Sequence, residues 1–249
     1  MPSNPRHQYP SLLFEETLSR SGIVASNRMN RERRFVGENS YSKDLRLDLE
    51  AFLSERLARN SASVDEPKSD AESVLWLDLC CGQGFALRQA VQMFAAQPGR
   101  RSLQIVGVDL VVDVRNRDPH PQLRIVEASL PSWRPDRHFD LITCIHGLHY
   151  LGDKLDVIAL AVGSLKPDGL LAAHLDPANL RHPADSHFGS RVVRWLKRSG
   201  FEYHARFRRI VCRGPRRLEI PWRYLGADDT AGPNFTGQPA VDSWYGDPE

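Results

Sequence analysis

The sequence predicts a doubly wound α/β fold, in which a mostly parallel sheet carries helices on both faces. Three observations lead to this prediction. From position 74 onward, short apolar runs alternate with helical patterns, the first run ends in an acid and a glycine-rich turn, and two late extended segments are joined by a Gly-Pro turn. Strands separated by helices need crossover connections, which place those strands parallel to one another.

The bulk properties are those of a globular protein. The chain has 249 residues, of which 41% are hydrophobic and 26% charged, so a domain of this length buries a substantial core. The formal net charge of +2 favours no class of partner. The four cysteines form no C-x-x-C pair, so we expect neither a disulfide framework nor a metal site.

No segment of the sequence predicts export or membrane insertion. The first ten residues lack the basic head and apolar stretch of a signal peptide. The longest apolar runs are too short to cross a bilayer. We therefore expect a soluble, cytoplasmic protein without a membrane partner.

The chain divides into four parts. Residues 1–10 carry three prolines and are predicted to be disordered. Residues 11–73 are predicted to form a helical N-terminal cover and linker, with helices over Ser11–Arg20 and Asp44–Arg59, the second capped by Ser42 or Asp44. The α/β domain covers residues 74–225. Residues 226–249 form a tail that either caps the substrate pocket or anchors the end of the chain.

The elements of the α/β domain follow in order. Five strands are predicted at 74–77, 103–108, 123–126, 139–144 and 170–175. Helices are predicted from the glycine turn to about Ala96, over 153–165 and over 189–199. Beyond them, Phe201–Cys212 and Arg217–Leu225 are expected to pair as an antiparallel hairpin around Gly214-Pro215.

Two acids flank the glycine turn after the first strand. Asp78 precedes the turn, Gly82 and Gly84 leave its backbone bare, and Asp109 ends the second strand. In open α/β sheets, ligands bind beyond the carboxyl ends of the strands. The bare backbone permits close approach of a ligand, and Asp109 is placed to accept hydrogen bonds from a ribose diol.

The turn argues against a dinucleotide site. Such a site needs a third glycine, whereas Phe85 follows Gly84 directly. Asp78 would also repel a pyrophosphate and instead suits a ligand that carries an ammonium group. A nicotinamide-dependent dehydrogenase is therefore disfavoured.

The chain resembles the class I S-adenosylmethionine-dependent methyltransferases over residues 74–225. Five segments carry the resemblance in family order: 78–84 (DLCCGQG), 106–110 (VGVDL), 127–131 (EASLP), 139–151 (FDLITCIHGLHYL) and 165–169 (LKPDG). The resemblance implies a seven-stranded sheet of the Rossmann-like methyltransferase type with a C-terminal antiparallel hairpin. It also implies S-adenosylmethionine as cofactor and S-adenosylhomocysteine as product.

The resemblance further implies a set of cofactor-binding residues. Gly82 and Gly84 would pack under the methionine part, Asp109 would bind the ribose, and Glu127 or Ala128 would contact the adenine edge. Cys80 stands where the family usually has its first glycine. The complete predicted set is Asp78, Cys80, Gly82, Gly84, Asp109, Leu110, Glu127, Ala128 and Cys144.

His146 and His149 follow the fourth strand and are candidate general bases, because a histidine can take a proton near neutral pH. The alternative is that both are ordinary residues hydrogen-bonded to the backbone. Asn39 and Tyr41 are predicted to belong to a lid over the cofactor or to contact the substrate. The alternative there is a plain connection between helices.

The favoured acceptor is a small molecule or a peptide side chain. Residues 144–147 (CIHG) stand where enzymes acting on exocyclic base amines carry an Asn-Pro-Pro-aromatic run. Nucleic acid is therefore disfavoured, although the arginines of 206–217 keep an RNA methyltransferase as the alternative. A regulatory protein that binds the cofactor without chemistry is a further alternative. The methylated atom and the oligomeric state stay open.

Overall fold

The structure is a computed structural model that describes residues 10–25, 33–59, 73–95, 101–112 and 120–248. Residues 1–9 of the predicted disordered N-terminus lie outside these ranges. So do residues 60–72, which are the predicted linker 60–73 without its last residue. Within the described ranges, no helix has the length and apolar character needed to cross a membrane.

The elements alternate along the chain in the predicted manner. The helices are α1 (Glu15–Leu18), α2 (Gly22–Ala25), α3 (Tyr41–Leu45), α4 (Leu49–Ala58), α5 (Phe85–Ala95), α6 (Lys154–Gly163) and α7 (Phe188–Arg198). The strands are β1 (Ser73–Leu79), β2 (Ser102–Asp109), β3 (Leu123–Glu127), β4 (Phe139–Cys144), β5 (Leu165–His174), β6 (Leu180–Arg181), β7 (Glu202–His204), β8 (Arg209–Arg213), β9 (Arg223–Asp228) and β10 (Asp242–Gly246). Short 3-10 helices cover Gly147–Tyr150, Pro177–Asn179 and Ala205–Phe207.

The main sheet has seven strands in the order β3-β2-β1-β4-β5-β8-β7. Its first five strands pair in parallel, and β8 runs antiparallel to both β5 and β7. This arrangement confirms the predicted doubly wound, mostly parallel sheet. The chain builds outward from β1 on one side and restarts at β4 on the other, which opens a ligand crevice at the carboxyl ends of β1 and β4.

Two hydrophobic clusters cover the two faces of this sheet. Along β1, Val74 and Trp76 belong to a cluster with α3, α4 and α5, whereas Leu75 and Leu77 belong to a cluster with α6 and α7. Successive side chains of a strand point to opposite faces, so the two clusters form separate layers. The layered architecture follows from the near-continuous apolar character of the central strands.

The predicted C-terminal hairpin was wrong in its second strand. The antiparallel pair consists of β7 and β8, which both lie within the predicted first segment 201–212, apart from the last residue of β8. Residues 217–222 form no strand; instead Leu218, Ile220 and Trp222 pack on the core, with Trp222 5.4 Å from Trp195. Burial of these alternating apolar side chains, rather than backbone pairing, accounts for the strand-like pattern. The chain then enters β9, in a separate sheet of order β6-β10-β9.

The N-terminal cover has shorter helices than the sequence predicts. The expected helix 11–20 is reduced to α1, and the expected helix 44–59 is split into α3 and α4, because Arg46 takes a left-handed conformation with φ +51°. The predicted caps Ser42 and Asp44 are also wrong. Ser40 and Asp48 cap α3 and α4 by accepting hydrogen bonds from backbone N–H groups in their first turns.

Candidate active site

The turn after β1 contains three residues in the left-handed region. Cys80, Gly82 and Gly84 have φ of +57°, +60° and +71°. The backbone N–H of Cys81 donates to Val108 O over 3.1 Å, which fastens the turn to β2. Cys80 therefore adopts the conformation that a glycine normally supplies, in spite of its β-carbon.

Asp109 lies at the end of β2 beside this turn. Its Oδ2 accepts a hydrogen bond from Gly82 N over 2.8 Å, and its Oδ1 accepts one from Val111 N over 3.1 Å. The carboxylate is thus held between the glycine turn and the loop after β2. Its fixed position at the rim of the crevice suits the binding of a diol.

A cavity opens at this point, between the glycine turn, the end of β2 and the N-terminal helices. Several predicted cofactor residues line it, and its other walls are mainly apolar. The predicted residues in the lining are Cys80, Gly82, Asp109, Leu110 and Ala128. A mainly apolar cavity with a few polar groups at fixed positions is typical of a small-ligand site.

The N-terminal cover supplies cavity residues that the sequence analysis missed. Glu15 and Leu18 of α1, together with Val24 and Ala25 of α2, line the cavity. Ser129 donates a hydrogen bond to Glu15 Oε1 over 2.8 Å, which ties α1 to the loop after β3. The apolar pattern of residues 11–20 indicated a buried helix side, but nothing in the sequence indicated the surface that it covers.

Four predicted cofactor residues lie outside the lining. Glu127 is exposed, so the structure favours Ala128 of the two adenine candidates. Gly84 faces Ile125, whose Cδ1 would lie 2.5 Å from an added β-carbon. Cys144 is buried with its thiol against Gly147. Asp78 is the fourth, and the cofactor contacts of all four stay predictions.

Asp78 is the centre of a buried polar network beneath the turn. It is fully buried, and its two carboxylate oxygens accept hydrogen bonds from Tyr41 Oη over 2.7 Å and Thr143 Oγ1 over 2.5 Å. Burial raises the pKa of Asp78 to about 7, against the opposing effect of these two hydrogen bonds. Tyr41 thereby connects the N-terminal cover to β1. Asn39 takes no part in this network; it is exposed, and its Oδ1 accepts a hydrogen bond from Arg33 Nη1 over 2.9 Å.

The candidate bases neighbour cavity-lining residues in the chain but lie outside the lining itself. The 3-10 helix Gly147–Tyr150 has three residues per turn, so Gly147 and Tyr150 share the side that lines the cavity. His149 projects from another side, and neither it nor His146 is among the lining residues. His146 packs instead with His174, at the end of β5, with ring centroids 4.1 Å apart, and the ring centroid of His149 lies 5.8 Å from that of His146.

Burial sets the charge state of these three histidines. It lowers the pKa of His149 well below its usual value, lowers that of His146, and lowers that of His174 to about 3. Asp44 Oδ2 lies 3.7 Å from His146 Nε2 and partly opposes the effect. At neutral pH the imidazoles are therefore uncharged and able to accept a proton.

A family model for a methyltransferase domain matches residues 45–209, more than half of the chain. This match agrees with the strand order, the glycine turn and the acid that ends β2. The chain belongs to the class I S-adenosylmethionine-dependent methyltransferase family. The predicted family resemblance is thereby confirmed.

Several known proteins are similar to parts of this methyltransferase. Trans-aconitate 2-methyltransferase of Escherichia coli is 30% identical over 120 residues, which are 47% of this chain and 44% of the relative. The protein of the same name from Shigella flexneri matches equally. This methyltransferase therefore spans less than half the length of the curated relatives that it matches.

Solved structures match with low overall similarity. The amino pentose methyltransferase CalS10 from Micromonospora echinaspora, with bound S-adenosylmethionine, is 18% identical with a TM-score of 0.37, over 67% of this chain and 58% of that chain. An S-adenosylmethionine-dependent methyltransferase from Mesorhizobium loti is 22% identical with a TM-score of 0.34, over 43% and 48% of the two chains.

The residues at the cavity fit S-adenosylmethionine. Gly82 presents backbone without a β-carbon, Asp109 offers a fixed carboxylate, and Leu110 and Ala128 provide apolar walls for a purine. The N-terminal cover closes over the cavity through Leu18. These residues match a ligand that combines a ribose diol with a flat purine ring.

Proposed function

We propose that this methyltransferase transfers a methyl group from S-adenosylmethionine to a small-molecule or peptide acceptor. The observation that carries the proposal is the cavity lined by the glycine turn and Asp109, with the uncharged imidazole of His149 on the same 3-10 helix as the lining residues Gly147 and Tyr150. The bound cofactor supplies the methyl group on a sulfonium centre. The chain's own residues orient the reactants, exclude water and accept a proton.

The proposed binding roles follow from the cavity. Asp109 holds the ribose hydroxyls, Gly82 lies under the methionine part, and Leu110 and Ala128 flank the adenine. The helices α1 and α2 exclude water from above, because Leu18 and Val24 line the cavity as apolar residues. Alignment and dryness are the main contributions that a protein makes to an in-line methyl transfer.

His149 and His146 are the proposed proton acceptors. Their uncharged imidazoles can take a proton from a hydroxyl or thiol acceptor as its oxygen or sulfur is methylated. Asp44 is a positioning residue, because its carboxylate lies 3.7 Å from His146 Nε2. Arg33 in turn pairs with Asp44 over 2.5 Å. Although burial acts in the opposite direction, the contact with His146 and the charge of Arg33 lower the pKa of Asp44.

Two observations support a small acceptor over RNA. Arg208 lies 3.8 Å from Asp176, and Arg209 donates to the backbone carbonyls of Leu45 and Arg46, so both bind within the fold. The curated relatives are named for trans-aconitate, a small molecule. RNA binding that weakens steeply with added salt would favour the RNA alternative, since neutralised phosphates release counterions.

Calorimetry on the Asp109→Ala variant tests the proposed cofactor site. We expect S-adenosylhomocysteine to bind at least about tenfold more weakly, because two hydrogen bonds from ribose hydroxyls to a carboxylate are lost. Asp136→Ala removes an exposed acid paired with Arg137 and is the matched control. Equal affinity of the folded Asp109→Ala variant and the wild type would remove Asp109 from the site.

Transfer of labelled methyl groups tests catalysis itself. Incubation with labelled S-adenosylmethionine and a broad extract of small molecules and peptides is expected to label acceptors. A protein that only binds the cofactor would leave every acceptor unlabelled. Mass spectrometry of the labelled products then identifies the methylated atom.

A further inference from the structure

Four rings meet beneath the loop between β9 and β10, next to the cofactor cavity. The centroid of Phe235 lies 5.5 Å from that of His149, 6.0 Å from that of His146 and 6.4 Å from that of His174. The histidines come from the carboxyl ends of β4 and β5 and the helix between β4 and α6, whereas Phe235 belongs to the loop. One carbocyclic ring is therefore packed against three imidazoles.

The hydrogen bonding of this ring cluster is incomplete. His149 is fully buried, and neither of its ring nitrogens has a hydrogen-bond partner among the described residues. Asn179 lies beside the ring and slightly opposes the lowering of the pKa of His149, but its side-chain oxygen forms no hydrogen bond of good geometry with that ring. Nδ1 of His146 is also buried without a partner in the described chain. A buried polar atom without a hydrogen-bond partner lowers the stability of the fold unless a ligand supplies the missing hydrogen bond.

Phe235 is the partly exposed member of this cluster. Its side chain is 41% exposed although it is a large apolar group, and its backbone N–H donates to Asp176 Oδ2 over 3.2 Å. The loop backbone around it is hydrogen-bonded from Gly237 N to Asn234 O and from Ala240 N to Gly232 O. Because one side of the ring faces solvent, a rotation of the Phe235 side chain alone can withdraw it from the three imidazoles.

We propose that the ring cluster is the acceptor subsite, in which Phe235 holds the place of a planar aromatic ring, and that the acceptor is a small phenol whose hydroxyl meets His149. The proposal rests on the proposed function and names its substrate class. Aromatic and imidazole rings at these centroid distances attract one another edge-on or offset. A phenol that displaces Phe235 keeps those contacts and adds the missing partner for His149.

The chemistry balances with the residues present. Methyl transfer forms one O–CH3 bond and breaks one C–S bond, whose electron pair stays on sulfur and yields the thioether. The phenol hydroxyl proton passes to a nitrogen of His149, which burial keeps uncharged. The three imidazoles do not converge as a metal-binding group among the described residues, so the unpartnered nitrogens are free for this role.

Charge at the cluster favours a phenol over a polycarboxylate. Among the described residues, the cations around it already have partners: Arg33 pairs with Asp44, and Arg208 with Asp176. Lys154 donates its three hydrogen bonds to two backbone carbonyls and Ser243. An acceptor with several carboxylates would lose its hydration without gaining an unpaired cation from this part of the chain.

Fluorine NMR titration with 4-fluorophenol, in the presence and absence of S-adenosylhomocysteine, tests the subsite directly. We expect 4-fluorophenol to bind the wild type, to bind Phe235→Ala about tenfold more tightly because the competing ring is gone, and to bind His149→Leu about tenfold more weakly. Gln238→Ala, in the same loop and exposed, is the matched control and should leave the affinity unchanged. Neither trans-aconitate nor cyclohexanol should displace the probe.

Three results would overturn the proposal: no binding of 4-fluorophenol to either wild type or Phe235→Ala, equal tightening in Gln238→Ala, or displacement of the probe by trans-aconitate. If His149→Leu does not fold, the Phe235→Ala comparison still decides. Binding of S-adenosylhomocysteine is measured separately by calorimetry. If S-adenosylhomocysteine does not bind, the proposed function is contradicted. If it binds and 4-fluorophenol does not, only the proposed acceptor subsite is contradicted.

Discussion

At the scale of single residues, the packing around the glycine turn requires that some positions carry no β-carbon. Gly147, which lines the cavity, shows this. A β-carbon at Gly147 would lie 2.3 Å from Cys80 Cβ and 2.9 Å from Cys144 Sγ. The two cysteines thus fill the space that a glycine leaves open. Cys80 replaces the usual first glycine of the turn, and its thiol takes part in this packing.

Gly84 provides a prediction at the same scale. Gly84→Ala should lower the free energy of unfolding by about 1–3 kcal/mol, because its β-carbon would lie 2.5 Å from Ile125 Cδ1 and its φ of +71° is strained for alanine. Adding Ile125→Val removes that Cδ1 atom. The double variant should therefore be more stable than the sum of the single effects, as measured by chemical denaturation.

Gly237→Ala separates backbone strain from the steric effect. Gly237 has a similar φ of +79°, but nothing lies within 4 Å of an added β-carbon. Its destabilisation therefore measures strain alone, about 1 kcal/mol. Strict additivity of Gly84→Ala and Ile125→Val would show that the predicted contact is not the cause.

At the scale of elements, α3 is the element that joins the N-terminal cover to both parts of the site. Tyr41 donates to Asp78 beneath the turn, and Asp44 lies beside His146 at the ring cluster. Ser40 caps the helix and Arg46 ends it, which fixes the position of both side chains. A short helix of five residues thus orients Tyr41 beneath the glycine turn and Asp44 at the ring cluster.

Asp78 makes stability depend on pH through this element. Burial raises its pKa to about 7 in the native state, whereas an unfolded aspartate loses its proton near pH 4. Between these values the native state binds more protons, so the contribution of Asp78 to stability falls as pH rises from about 4 to about 7 and is constant above. Asp78→Asn removes this loss. Relative to wild type, the variant should gain up to about 4 kcal/mol between pH 4 and pH 8.

Denaturant unfolding of both proteins at several pH values measures this difference. Asp136→Asn is a control of opposite sign, because the hydrogen bond from Arg137 lowers the pKa of Asp136 and its stabilisation is lost in acid. If the free energies of unfolding of wild type and Asp78→Asn differ by the same amount at pH 4 and pH 8, the raised pKa of Asp78 is contradicted.

At the scale of the whole molecule, the C-terminal sheet is part of the core. Tyr245 of β10 is fully buried, donates to Asp153 Oδ1 over 3.0 Å and accepts from Leu155 N over 3.1 Å. Lys154 donates to Val241 O and Ser243 Oγ, which joins α6 to the same strand. Burial lowers the pKa of Lys154 to about 7. The segment 242–246 is therefore anchored on the domain, whereas the loop before it carries Phe235 to the site.

Tyr245→Ala should destabilise the whole protein by about 3–5 kcal/mol, because a large buried ring and two hydrogen bonds are lost. Tyr245→Phe keeps the ring and should cost about 1 kcal/mol. Thermal unfolding followed by circular dichroism and by tryptophan fluorescence should give coincident single transitions for both variants. An early separate transition confined to one probe would show that the C-terminal sheet unfolds independently.

The sequence by itself determined the parallel sheet, the glycine turn and the place of Asp109 at the end of the second strand. These features arise from short segments whose patterns are local: apolar runs for β1 to β5, and glycines with an acid at strand ends. Residues at the carboxyl ends of adjacent parallel strands meet at one edge, so Gly82 and Asp109 were predicted as neighbours and lie within hydrogen-bonding distance.

Only the tertiary structure decided which residues of the N-terminal cover line the site and where the histidines point. The contacts responsible join distant segments: Ser129 to Glu15, and Phe235 to His149. No periodicity connects such segments, because each contact depends on how the cover and the tail pack on the finished sheet. The same packing buries the histidines and so sets their charge, which no local pattern in the sequence determines.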